Sequence, residues 1–212
     1  MTVLLLETAT EKAVVALFSK EALKKKIEID GKSQLSEKLL PSINSMFKDQ
    51  KEINELECII VGTGPGSYTG IRTGASFAKA LSFAKKIPLI GICGLKGFIP
   101  IHPKKGLRFL AAVDAKIGGI YCVEGVCLNE QNDVAFQKEQ LLSLIEFQEK
   151  LKGTPLVITP HAKMIEKRLI DYGSLKEVEF VERGVSLELL FKEGKRKLER
   201  AEYSTDGSLE LS

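Results

Sequence analysis

Apolar runs and helical periodicities alternate along the chain and predict an α/β protein. Three short apolar runs come first, at Val3–Leu6, Ala13–Phe18 and Leu23–Ile29, and each is too short for a helix. Apolar residues then recur at helical spacing from Leu35 to Phe47. Pro41 lies within this pattern, so we expect a kink there or the true start of the helix.

The remaining segments complete one unit and begin a second. A strand at Cys58–Gly62, a helix at Ile71–Lys85 and a strand at Leu89–Cys93 give the first half the order β-β-β-α-β-α-β. The pattern restarts after His102–Gly106, a plausible hinge. The second half is predicted to contain strands at Leu107–Val113, Ile120–Val123 and Val126–Leu128, a helix at Leu141–Leu151, a strand at Leu156–Thr159, a helix at Ala162–Ile170, a strand at Val178–Val181 and a last helix that begins near Leu187.

The two halves open in the same way. LLLETATEKAVVAL places Glu7 at the end of its first strand, before a polar turn and a second strand, and FLAAVDAKIGGIYCV does the same with Asp114. The two acids are separated by about half the chain, which suggests an internal duplication with lobes at residues 1–100 and 101–212. Two similar hairpins of independent origin are the alternative.

An acid at the end of the first strand of each lobe has a chemical use. In two-lobed actin-like nucleotide-binding proteins, such carboxylates hold a hydrated magnesium ion, and the following turn offers N–H groups to the phosphates. Glu7, Thr8, Thr10 and Asp114 are therefore candidates for a nucleotide cleft or its remnant. A solvated carboxylate in a turn is the alternative for each acid.

Composition limits the possible classes of protein. The chain has 212 residues, of which 44% are hydrophobic and 28% charged, as is typical of a folded globular protein. A net charge of +3 is too small to indicate a nucleic-acid or membrane surface. No apolar run reaches the roughly 18 residues that span a bilayer. The four cysteines form no CxxC pair and no basic segment precedes the first apolar run, so we expect a cytoplasmic protein with reduced thiols.

The segment Gly62–Gly74, GTGPGSYTGIRTG, is the most informative part of the sequence. It follows a strand and opens a helix, where anion-binding loops lie. It lacks the lysine of a Walker A loop, the G-x-G-x-x-G spacing and the G-x-S-x-G of a nucleophile elbow. Gly70, Gly74, Ala78 and Ser82 recur every four residues and predict a ridge that another helix or a sheet can approach closely. Burial within its own lobe and an interface with another molecule both remain open.

The sequence contains no assembled catalytic set. His102 and His161 lie far apart, and neither HxxxH nor HExxH occurs. The basic run Lys195–Lys197 is the candidate contact for RNA or an acidic partner. We therefore expect no catalytic residue, no metal site and no resident cofactor.

Four segments together resemble the bacterial TsaB family, also called YeaZ. They are LSEKLLPSINSMF, CIIVGTGPGSYTGIRTG, FAKALSF and IPLIGICGLKGF, and the most specific pattern is G-P-G-S-[FY]-T-G-[IV]-R-x-G at Gly64–Gly74. The resemblance is strong over about residues 3–98. The chain departs from the family in its I-D-T-[AS]-T opening, where Glu7 replaces Asp, and after Asp114, where Gly119 replaces Glu or Gln.

This resemblance implies a two-lobed actin-like fold, of the duplicated ribonuclease H-like type with mixed sheets, and a role in forming N6-threonylcarbamoyladenosine at position 37 of tRNA. Family members act as a noncatalytic partner of the transferase TsaD, together with the small ATPase TsaE. They contact tRNA indirectly, through the complex, and no membrane is involved. In isolation they can form homodimers. The partner surface is formed by helices of the first lobe, and here it would comprise Leu39, Ile43, Phe47, Gly70, Gly74 and Ala78.

An active actin-like enzyme is the alternative from another class of function. It would be a small kinase or ATPase that binds ATP and magnesium through Glu7 and Asp114. The second half shows no clear glycine-rich loop for adenosine, which counts against this alternative. A homodimer with an independent function is a third possibility.

Overall fold

The chain forms two compact α/β units. A computed structural model describes residues 1–10, 12–30, 34–154, 156–170, 178–205 and 208–209. The first unit comprises Met1–Gly94 and Leu190–Ser212, and the second comprises Leu95–Leu189. The expected lobes, residues 1–100 and 101–212, differ from this division chiefly in the C-terminal segment, which returns to the first unit.

Strands and helices alternate in both units. In chain order the elements within the described residues are β1 (Thr2–Glu7), β2 (Lys12–Ser19), β3 (Ala22–Asp30), α1 (Leu35–Met46), α2 (Gln50–Asn54), β4 (Cys58–Gly62), α3 (Tyr68–Lys85), β5 (Leu89–Ile92), β6 (Arg108–Asp114), β7 (Ile120–Cys127), β8 (Val134–Phe136), β9 (Gln140–Leu142), α4 (Leu144–Leu151), β10 (Leu156–Thr159), α5 (Ala162–Ile170), β11 (Glu179–Glu182) and α6 (Leu187–Glu199). Over these parts of the chain, no helix combines the length and apolarity needed to cross a membrane.

The two sheets share one topology. The first has the order β3-β2-β1-β4-β5, and the main path of the second is β8-β7-β6-β10-β11. In the first sheet β1 pairs antiparallel with β2 and parallel with β4, and in the second β6 pairs antiparallel with β7 and parallel with β10. Mixed sheets of the same order in both units confirm the predicted α/β fold and its internal duplication.

The first sheet is covered on both faces. Leu4, Leu6 and Val15 belong to a buried cluster that also contains the inner residues of α1 and α3. On the opposite face, the Phe191 ring of α6 stacks on Phe18 with 4.3 Å between ring centroids. α6 therefore completes the core of the first unit, because it buries the second face of this sheet.

Several helix and strand boundaries differ from the prediction, among them that of α3, which begins at Tyr68 rather than Ile71. α1 begins at Leu35, so Pro41 does not mark the start of the helix. β7 continues to Cys127, and the third strand of the second unit is β8 rather than the predicted Val126–Leu128. The predicted helix at Leu141–Leu151 begins at Leu144 instead, after a Ser143–Glu146 capping box.

Candidate functional site

The turn between β1 and β2 is seated against the glycine-rich segment that connects β4 to α3. The backbone N–H of Ser67 donates to the Ala9 carbonyl at 2.8 Å, and the Gly94 N–H donates to the Gly64 carbonyl at 2.7 Å. Ser67 also caps α3, since its side chain accepts a hydrogen bond from the Gly70 N–H at 3.2 Å. These bonds tie the turn, the loop and the start of α3 into one site.

Glycines make this close approach possible. A Cβ atom at Gly70 would lie 2.0 Å from the Thr8 carbonyl oxygen, and one at Gly74 would lie 2.2 Å from Thr8 Oγ1. A Cβ atom at Gly66 would lie 2.2 Å from the Ala9 carbonyl oxygen. The small residues of α3 are therefore explained by contact with the chain's own β1–β2 turn. We call Gly62, Gly66, Gly70, Gly74 and Gly94 the glycine cradle.

Glu7 lies at the base of the glycine cradle and is fully buried. Its Oε1 accepts a hydrogen bond from the Ala9 N–H at 2.8 Å, whereas its Oε2 has no hydrogen-bond partner. Cβ atoms at Gly62 and Gly94 would lie 2.2 Å and 3.1 Å from Oε2. Burial raises the pKa of Glu7 to about 7, and the Ala9 hydrogen bond lowers it in part.

The two threonines of the turn are engaged differently. Thr8 is buried, and its Oγ1 has no hydrogen-bond partner. The Thr10 hydroxyl donates to the Lys12 carbonyl at 2.6 Å, within the turn. Glu7 and Thr8 are thus packed in the interior at the end of β1, and the Glu7 carboxyl does not reach solvent.

Asp114 occupies the equivalent place at the end of β6 in the second unit. Its Oδ1 forms an ion pair with Arg168 of α5 and accepts the Lys116 N–H at 2.9 Å. The Asp114 N–H lies 3.3 Å from His161 Nδ1 and donates to it. The Asp114 side chain is only 3% exposed, so this ion pair is almost completely shielded from solvent on the carboxylate side.

The turn after Asp114 uses its own backbone donors. The N–H groups of Ala115, Gly118 and Gly119 donate to carbonyls within the same turn. Across the described ranges, no group of three or more His, Cys, Asp or Glu side chains is arranged to hold a metal ion. The four residues predicted for a nucleotide cleft thus divide into two internally bonded sites, one in each unit.

The predicted partner-interface residues lie in the interior of the first unit, and their role at an interface stays a prediction. All six are buried within the first unit, namely Leu39, Ile43, Phe47, Gly70, Gly74 and Ala78. The periodicity that singled them out marks the faces of α1 and α3 that lie on their own sheet and turn. None of these residues presents its side chain at the surface of the chain.

The opposite face of α3 is exposed and was missed by the sequence prediction. Tyr68 and Phe83 are each 67% exposed, and the Arg72 guanidinium lies over the Tyr68 ring at 4.2 Å from its centroid. Ser76 and Ala80 lie between them and are also exposed. We call these five residues the outer α3 stripe; their spacing of three or four residues was the available signal.

The basic run near the C-terminus is engaged within the first unit. Lys195 forms an ion pair with Glu21, and the Lys197 ammonium donates to the Gly91 carbonyl at 2.9 Å. Arg196 lies 3.9 Å from a carboxylate oxygen of Glu193. Lys195 and Lys197 thus attach α6 to the rest of the first unit, and a contact of this run with RNA or an acidic partner stays a prediction.

Comparison with known sequences identifies a family and several relatives. A family model described as "TsaD: tRNA N6-adenosine threonylcarbamoyltransferase" matches residues 30–183. The chain is 27% identical over 148 residues to the tRNA threonylcarbamoyladenosine biosynthesis protein TsaB of Escherichia coli, which is 66% of this chain and 64% of that protein. It is 26% identical over 180 residues to the TsaB of Bacillus subtilis, which is 81% of this chain and 76% of that protein. The match with the E. coli protein spans less than two thirds of its length.

Two solved structures share the fold. A Pseudomonas aeruginosa protein described as similar to peptidase YEAZ superposes with a TM-score of 0.77 at 18% identity, covering 100% of this chain and 98% of that one. YeaZ from the same species superposes with a TM-score of 0.70 at 19% identity, covering 96% and 94%. At these identities, the similarity establishes the fold alone.

Proposed function

This chain belongs to the TsaD family, described as tRNA N6-adenosine threonylcarbamoyltransferase, and from that premise we propose that it serves in threonylcarbamoyladenosine biosynthesis on tRNA. Within that process it is a noncatalytic, cytoplasmic partner of a TsaD-type transferase. The names of its relatives support the pathway. The state of its two strand-end acids supports the noncatalytic role.

The observation that carries the noncatalytic role is the engagement of both acids by the chain itself. A carboxylate that holds hydrated magnesium must face solvent with its charge available. Glu7 is fully buried against glycines, and its pKa of about 7 leaves much of it neutral near pH 7. The charge of Asp114 is balanced by Arg168. Each acid is therefore engaged within its own unit, which supports a role other than binding nucleotide and magnesium.

The outer α3 stripe is the proposed contact for the transferase. Its ends are aromatic, and its middle consists of the small residues Ser76 and Ala80, so a partner helix can approach the middle closely. Tyrosine and arginine are enriched at interface hot spots, and Tyr68 and Arg72 are already held together by a cation–π contact. The surface thus remains on the helices that the family resemblance indicates, but on their exposed side.

The other members of the complex follow from the same proposal. A TsaE-type ATPase is the third protein, and tRNA is contacted through the assembled complex. In the absence of the transferase, a second copy of this chain occupies the outer α3 stripe and forms a homodimer.

Co-purification with the TsaD-type protein of the same cell tests the proposed surface. Ala80→Arg places a long charged side chain in the middle of the outer α3 stripe and should reduce recovery of the transferase at least tenfold. The matched control is Ile145→Arg on α4, where the replaced side chain is 62% exposed in the second unit. Equal recovery with Ala80→Arg and wild type would refute the surface.

Calorimetry with ATP and magnesium tests the noncatalytic role. We expect no binding to the isolated chain at concentrations of about 100 μM, because both acids are engaged. Tight binding that Asp114→Asn abolishes would contradict this proposal and favour the actin-like enzyme.

A further inference from the structure

Glu7 differs from Glu124, a second buried glutamate among the described residues. Glu124 is also buried, but it accepts hydrogen bonds from Arg108 and lies 3.7 Å from the Lys150 ammonium. Glu7 has a single backbone donor, Ala9, and one oxygen without a partner. An ionised carboxylate in such surroundings is strongly disfavoured, whereas a neutral acid is tolerated.

We propose that Glu7 is a proton-dependent lock, which holds the β1–β2 turn in the glycine cradle while the carboxyl is neutral and releases the turn when it ionises. This inference stands independently of the proposed pathway, because it concerns the closure of the first unit alone.

Within the described residues, the Ala9 N–H is the group that favours the ionised form of the carboxyl, and its effect is smaller than that of burial. The neighbouring elements contribute Gly62 from the end of β4, Gly94 after β5, and Val14 from the paired strand β2. The turn itself contributes Ala9 and the neighbouring residue Thr8, whose hydroxyl is also unpartnered. Among the described residues, no lysine, arginine, histidine or second acid contributes to the pKa of Glu7, which burial raises to about 7.

Release of the turn is the available way to hydrate an ionised Glu7. The Glu7 carboxyl is fully buried, so bulk water does not reach it in the closed state. Opening would break the hydrogen bond from the Ser67 N–H to the Ala9 carbonyl, which joins the turn to the N-cap residue of α3. It would also expose the bond from the Gly94 N–H to the Gly64 carbonyl, because Gly94 lies beside the Glu7 carboxyl.

The direction of the pH effect follows from the two proton affinities. The closed state binds the proton with a pKa of about 7, and a hydrated carboxyl has the ordinary value of 4.5. Opening therefore releases a proton and becomes more favourable as pH rises between these values, with little further change above 7. For these two pKa values, the opening equilibrium constant should rise about 30-fold between pH 5.5 and 8.5.

Two measurements on the full chain test the lock. Carbon-13 NMR of the glutamate side-chain carboxyls, with Glu7→Gln to assign the signal, should show Glu7 titrating near pH 7. Hydrogen exchange at the Ser67 and Gly94 amides, divided by the intrinsic base-catalysed rate, should rise about 30-fold over the same pH interval. The rise should persist in Glu28→Gln, which removes an exposed carboxylate, and fall below about threefold in Glu7→Gln.

Three outcomes overturn the lock. They are titration of Glu7 near 4.5, corrected exchange that does not change with pH in the wild type, and an equal rise in Glu7→Gln. If Glu7→Gln does not fold, the reference is the Phe147 amide of the wild type, which donates to Ser143 in the second unit. A rise shared by that amide would equally overturn the inference, and a rise confined to Ser67 and Gly94 would support it.

Discussion

At the scale of single residues, the length of the Glu7 side chain decides what its carboxyl contacts. The family pattern has Asp at this position, and the extra methylene of Glu carries the carboxyl against Gly62 and Gly94. Burial with a single donor raises the pKa of this carboxyl, because the ionised form loses its hydration. The size of the Glu7 side chain and the absence of side chains at Gly62 and Gly94 therefore depend on each other.

A methyl group added to the glycine cradle tests this packing. Gly70→Ala would place Cβ 2.0 Å from the Thr8 carbonyl oxygen, a backbone atom that cannot rotate away. We expect a loss of about 2 kcal/mol or more in the free energy of unfolding, despite the better helix propensity of alanine. Gly184→Ala is the control, since nothing lies within 4 Å of its Cβ position. Urea unfolding that shows equal stability for the two variants would contradict the close approach.

At the scale of elements, the ion pair between Asp114 and Arg168 joins the end of β6 to α5. Arg168→Met keeps much of the side-chain volume but leaves the nearly buried Asp114 charge without its cation. Because the Arg168 side chain is itself 27% exposed, we expect a loss of about 2–3 kcal/mol, at the lower end for buried pairs. Lys152→Met breaks the exposed pair with Glu149 and should cost less than about 1 kcal/mol. Similar losses of stability in both variants, measured by urea unfolding, would contradict a larger contribution from the Asp114–Arg168 pair.

α6 is the element that closes the first unit. Phe191→Ala removes the ring that stacks on Phe18 on the α6 side of the sheet. We expect a loss of about 3–5 kcal/mol in the free energy of unfolding. Phe83→Ala removes a ring of the same size from the outer α3 stripe, where it is 67% exposed, and should change stability by about 0.5 kcal/mol or less. Thermal unfolding distinguishes the two, and an unaffected Phe191→Ala would place α6 outside the core.

Elements that are continuous apolar runs could be predicted from the sequence, and those that carry internal polar contacts could not. β4 and β10 are such runs and have the predicted bounds, and β1 is one residue longer at each end than predicted. β7 contains Glu124 and Gly125, which interrupt its apolar pattern. Glu124 is buried through its bonds to Arg108, and Gly125 is required because the Phe109 ring lies 2.4 Å from its Cβ position. These partners lie on another strand, so the pattern along β7 contains no sign of them.

The candidate site could be predicted in its position but not in its contacts. The small-residue spacing of α3 correctly predicts a close approach, but it does not name the neighbour, which is the β1–β2 turn about sixty residues earlier in the chain. Asp114 could be placed at the end of its strand, but its partner Arg168 is 54 residues further along. Long-range contacts of this kind follow only from the folded topology.

At the scale of the whole molecule, the two units have the same strand order, but the acids at the ends of their first strands have different surroundings. One acid is buried with a pKa raised to about 7, and the other is paired with an arginine. The first unit combines this closed site with an exposed aromatic stripe on α3. A duplicated fold with both acids engaged and one helix face available is the arrangement expected of a partner subunit.

The most direct test of this account is the amount of N6-threonylcarbamoyladenosine in tRNA after the chain is depleted from its native cell. We predict that the modified nucleoside falls to a small fraction of its normal level, that re-expression of the wild type restores it, and that Ala80→Arg restores it poorly. A level that depletion leaves unchanged would contradict the central claim.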